Sequence, residues 1–134
     1  MSCQGRSCFN FCGGTLISKD WVITAAHCYS ADAHSNTYAM VGENEICHFG
    51  KKNLINGEWK VHPSYDTTNL DNDIALLKLK KSVKFGRFVG PACIQTSTDY
   101  TAIKHVYVTG WGLTIDGEND SAPKVMHSVD IRDV

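Results

Sequence analysis

Short β-branched and aromatic runs, set apart by clusters of Gly, Asn, Asp and Ser, predict an all-β protein. The near absence of helical periodicity agrees, since only one turn around residues 25–29 has any. A length of 134 residues with 43% hydrophobic side chains is enough to bury a real core under such strands.

The candidate strands follow in order. Residues 12–18 and 21–24 are apolar runs joined by Lys19-Asp20, a pair suited to a tight hairpin turn. Residues 38–41 and 54–61 follow, both rich in aromatic and β-branched side chains. Asn69-Leu-Asp-Asn-Asp73 is a polar approach whose side chains can bond their own backbone, and it leads into an apolar run at 74–79. Residues 80–104 then change character: Lys80, Lys81, Lys84 and Arg87 precede Gly90-Pro91 and a Thr/Ser-rich segment. This reads as a connection between two units, or as a long surface loop of one. Runs at 106–109 and 125–131 complete the set.

Composition narrows the function. Thirteen Lys and Arg against fourteen Asp and Glu supply no field that would attract nucleic acid or an anionic membrane. Apolar runs such as residues 74–77 are far too short to span a bilayer. The amino end has no apolar core like that of a signal peptide. Six cysteines, at 3, 8, 12, 28, 47 and 93, suit an oxidising compartment and can pair in about 15 ways. Six histidines raise zinc as a rival, but there is no Cys-x2-Cys pair, and Cys8 and Cys12 lack a partner pair at finger-like spacing.

Four segments carry the chemistry. Cys12-Gly-Gly-Thr-Leu-Ile-Ser18 precedes Trp21-Val-Ile-Thr-Ala-Ala-His-Cys28; Asp71-Asn-Asp-Ile-Ala-Leu-Leu-Lys-Leu79 and Val108-Thr-Gly-Trp-Gly-Leu113 follow. In this order and spacing the chain resembles the trypsin/chymotrypsin-like serine peptidases over essentially its whole length. The resemblance implies an antiparallel Greek-key β-barrel of the two-barrel fold, with only the beginning of the second barrel present. Residues 1–79 would form an incomplete first barrel, 80–104 the inter-barrel connection and 105–134 the first strands of the second. Trp111, Val125 and Ile131 are then expected to be poorly covered.

The implied activity is peptide-bond hydrolysis by a Ser/His/Asp triad. A serine hydroxyl is a weak nucleophile until an imidazole takes its proton. The resemblance makes His27 that base and Asp73 the carboxylate that orients it. It also pairs Cys12 with Cys28 around the histidine loop, and suggests Cys8 with Cys47 in two neighbouring loops. Cys93 falls where many relatives tether an upstream segment, and otherwise pairs with Cys3 or stays free. The family's Gly-Asp-Ser-Gly-Gly segment is not found: none of the ten serines precedes a glycine. Nor is the Ile-Val-Gly-Gly activation end. The chain alone is therefore expected to be inactive, a fragment lacking nucleophile, oxyanion amides and specificity pocket.

No cofactor is implied. Glu43 matches one ligand of the family's calcium loop, but Lys51 and Lys52 in that loop oppose a cation, so the reading is no metal. Asn119-Asp-Ser121 fits a glycosylation sequon. Implied partners of the complete enzyme are protein or peptide substrates, the second barrel and protein inhibitors, with secretion as the implied location. Two alternatives stay open: a non-catalytic binding module using loops around Arg6, Lys51 and Lys52, and the product of an incomplete transcript without function of its own.

Overall fold

In a computed structural model of the chain, the described residues are 2–4, 7–9, 12–29, 37–45, 53–96, 105–115 and 125–132. Nine strands occur among them: β1 (Ser2–Gln4), β2 (Ser7–Phe9), β3 (Thr15–Leu16), β4 (Trp21–Thr24), β5 (Tyr38–Met40), β6 (Leu54–Val61), β7 (Ala75–Leu79), β8 (His105–Gly110) and β9 (His127–Arg132). Every strand pairing among the described residues is antiparallel, and a 3-10 turn at Ala26–Cys28 follows β4. The fold is all-β, as expected. Among the described residues no helix is long and apolar enough to cross a membrane.

The chain divides into two compact units, Met1–Glu43 with Phe49–Cys93, and Asn44–His48 with Ile94–Val134. The first contains the β1–β2 hairpin and a curled five-stranded sheet in the order β3-β4-β7-β6-β5, part of a barrel. At its centre lies β7. Ala75, Leu77 and Leu79 are buried while the residues between them are less so, the period-two signature of a strand with one face on a core. Val22, Leu77, Leu79 and Val83 form that core, with Leu16, Ala39, Val41, Ile55, Trp59 and Val89 packed around it. Register places Leu77 opposite Val22 on one side and Trp59 on the other. Gly57, two residues from Trp59, leaves room for Leu77: a Cβ there would lie 2.5 Å from the leucine Cγ.

The five-stranded sheet's two β3 and β4 strands pair over a shorter stretch than the apolar run at 12–18 suggested. The Ile17 and Ser18 amides both turn to the Trp21 carbonyl, closing the hairpin early. The first unit also takes in residues 80–93. Val83 is buried in the core, the Val83 amide bonds the Lys19 carbonyl, and the Ala92 amide bonds that of Leu16.

In the second unit β8 and β9 pair over six residues, from His105 with Arg132 to Gly110 with His127. A bridge between Glu45 and Val125 and a bond from the Met126 amide to the Asn44 carbonyl add a short third edge. Trp111 is half-buried, with its Nε1 donating to the same Asn44 carbonyl at 3.0 Å. Val125 and Ile131 are exposed, as are Tyr107, Val108 and Val129.

Candidate active site

The pairing of β4 with β7 brings the candidate residues together. Thr24 at the end of β4 lies opposite Ala75 at the start of β7. His27 is three residues beyond the one and Asp73 two residues before the other, so antiparallel register carries both to the same end of the sheet. The 3-10 turn at Ala26–Cys28 then aims the histidine. Ala26 is fully buried and Cys28 nearly so, which anchors the turn on both sides of an exposed His27.

Asp73 meets that histidine twice. One carboxylate oxygen, Oδ2, lies 2.7 Å from the imidazole Nδ1, and the other, Oδ1, accepts the His27 backbone amide at 2.7 Å. An ionised carboxylate only accepts hydrogen bonds, so Nδ1 must carry the proton. The neutral ring then has its lone pair on Nε2. The histidine side chain is 55% exposed and that of the aspartate 23%, so the histidine is the more open of the pair. The bond from the His27 ring, then that from its amide, hold the Asp73 carboxyl below the usual carboxylate range. Attraction to the ring when it is protonated and the bond from the Ala26 amide act the same way, against the opposing effect of partial burial. Nearby, the Tyr65 phenol is pushed up by partial burial, then by the charges of Asp73 and Asp66.

A disulfide joins Cys12 to Cys28, with Cα atoms 6.1 Å apart, directly beside the histidine. Cys12, His27 and Cys28 would make a three-ligand cluster, but both sulfurs are bonded to each other and offer no thiolate. Behind the turn, Tyr29 packs edge-on against Trp59, with ring centroids 5.8 Å apart. The Trp59 Nε1 donates to the hydroxyl of the buried Thr37 at 2.9 Å.

The other candidates lie elsewhere. Glu43 is half-buried and accepts a hydrogen bond from Asn53 Nδ2, which occupies one of its oxygens. Cys93 is an exposed free thiol. The backbone register pairs Cys3 with Cys8 across β1 and β2. Cys47, Arg6, Lys51, Lys52 and the sequon at 119–121 fall outside the described residues. Sequence reading did not single out the Ala26 and His27 amides, because backbone donors have no residue-type signature. It placed Asn72 in the polar approach to a strand without singling out its contact with Ser64, which depends on how the loop closes.

A family model described as Trypsin matches residues 1–134. Trypsin-3 of Salmo salar is 34% identical over 128 residues, covering 94% of this chain and 51% of that protein. Trypsin-1 of the same species is 37% identical over 118 residues, covering 87% and 47%. Venom serine protease 34 of Apis mellifera is 42% identical over 113 residues, covering 77% and 28%. The chain belongs to the trypsin family, and it spans about half the length of the trypsins it matches.

Proposed function

We propose that these residues are the histidine- and aspartate-bearing part of a serine endopeptidase, with His27 as general base and Asp73 as the group that orients it. The observation that carries the reading is the double contact of Asp73, one oxygen on the His27 ring and one on its amide. That contact holds the tautomer whose Nε2 can take a proton from a serine hydroxyl and later return it to the leaving amine. The carboxylate stabilises the imidazolium formed between those two steps. A nucleophilic serine and oxyanion donors are supplied, on this reading, by polypeptide outside these 134 residues, and the chain alone does not hydrolyse peptides. Substrates are proteins or peptides, and protein inhibitors would compete for the same cleft. The Cys12–Cys28 disulfide supports an extracellular location, where such bonds persist.

The test is fluorophosphonate labelling of the native polypeptide from its source, captured with an antibody to this chain. A labelled band at roughly twice 14.8 kDa is expected, because two barrels build one serine-bearing cleft. An unlabelled band near 14.8 kDa refutes the catalytic reading and favours a binding module.

A further inference from the structure

The loop between β6 and β7 is tied across its base and along its length. The His62 amide bonds the Ile74 carbonyl at 3.1 Å, and the Asp66 amide bonds that of Asp71 at 3.0 Å. Thr68 and Asp71 amides are taken by the side chains of Asp66 and Asn69, two Asx turns in succession. Two non-glycine residues near its end have left-handed backbones, Leu70 at φ 61° and Asn72 at φ 56°. Asparagine tolerates that region better than most residues, whereas leucine is strained there.

Asn72 immediately precedes Asp73 and is held at both ends. Its side-chain Nδ2 donates to the Ser64 carbonyl at 3.0 Å, across the loop. Its own carbonyl accepts the Ile74 amide at 2.7 Å, an i to i+2 bond that closes a γ-turn with Asp73 at its centre. The chain therefore reverses sharply at Asn72, turns at Asp73 and enters β7 at Ala75.

We propose that Asn72 is a positioning residue for Asp73: its left-handed backbone and its anchor on Ser64 set the direction in which the carboxylate leaves the loop, so that both oxygens face His27. Without the anchor the turn at Asp73 is free to rotate, and one of the two contacts is lost. The loss matters because the amide and the ring must be met simultaneously by a planar group with fixed oxygen spacing. That this orientation serves proton transfer rests on the function proposed above; the orientation itself does not.

The test uses the full 134-residue chain with its disulfide intact and follows the Asp73 carboxyl by carbon-13 NMR as a function of pH. The His27 amide proton is read in the same samples. In the unmodified chain Asp73 titrates below the ordinary carboxylate value of about 3.9. Asn72→Ala is expected to move that titration up toward the ordinary value and to shift the His27 amide resonance upfield. Asn72→Gly keeps access to the left-handed backbone but loses the anchor, so it folds more readily and moves the titration in the same direction by less. Leu70→Gly, two residues earlier in the same loop, is expected to leave Asp73 where it was. An unchanged titration in Asn72→Gly overturns the proposal. So does an equal rise in Leu70→Gly, which would mean that loop integrity alone is being read. A failed fluorophosphonate label would sink the catalytic reading and leave these titrations standing.

Discussion

The packing of Leu77 against Gly57 lends itself to a double-substitution cycle whose sign follows from geometry. A Cβ at residue 57 would sit 2.5 Å from Leu77 Cγ and 2.9 Å from each Cδ, and these are its three nearest atoms. Such overlap forces side chains off their rotamers, so Gly57→Ala is expected to cost about 1–3 kcal/mol. Leu77→Ala removes a side chain that is 5% exposed and packed between Val22 and Trp59. Gly57 has no side chain to fall into the space, so the loss should lie in the upper part of the roughly 2–5 kcal/mol range for such truncations. When both changes are made, the three clashing atoms are gone and the new methyl partly fills the cavity. The double variant should therefore be no less stable than Leu77→Ala alone, with a favourable coupling of about 1–3 kcal/mol. Equilibrium urea unfolding of the four proteins, read by tryptophan fluorescence, measures each term through the midpoint at constant slope. Strict additivity would refute the reasoning, because it would mean the methyl never met Leu77.

Three further outcomes follow from the site. Because the Asp73 carboxyl is held low in the folded state, its pairing stabilises the fold at neutral pH and loses that effect as pH falls through the folded value. The urea midpoint of the unmodified chain should thus exceed that of Asp73→Asn above pH about 4 and approach it below. In a polypeptide carrying both this chain and the nucleophile, Asp73→Asn is expected to lower kcat by about 10^4, the loss the same change produces in a trypsin-like triad, with KM little altered. Replacing Cys12 and Cys28 together by Ser removes a cross-link of sequence separation 16 and should cost about 3 kcal/mol, seen as a lower melting temperature unaffected by added reductant.

Strands β4 and β6 occupy the ranges their residues suggested, since runs such as Trp-Val-Ile-Thr and Leu-Ile-Asn-Gly-Glu-Trp-Lys-Val carry enough β preference to mark their own ends. The run at 12–18 marked itself less well. Thr15–Leu16 alone pairs, because two amides of the run turn to one carbonyl and Cys12 is bound to Cys28. Similarly, nothing in Lys80, Lys81 and Lys84 announces that Val83 between them is buried, since one apolar residue sets up no period.

Local composition, then, determined that this chain is a β protein, and its four motifs determined the family it resembles, because strand preference and motif order are properties of neighbouring residues. The tertiary structure decided the rest. His27 and Asp73 are 46 positions apart, and only the antiparallel register of β4 on β7 brings their side chains to 2.7 Å. The amides that share the carboxylate and the fit of Leu77 over a missing Cβ likewise join residues far apart in the chain. Each depends on where the chain returns in space, which no window along the sequence contains.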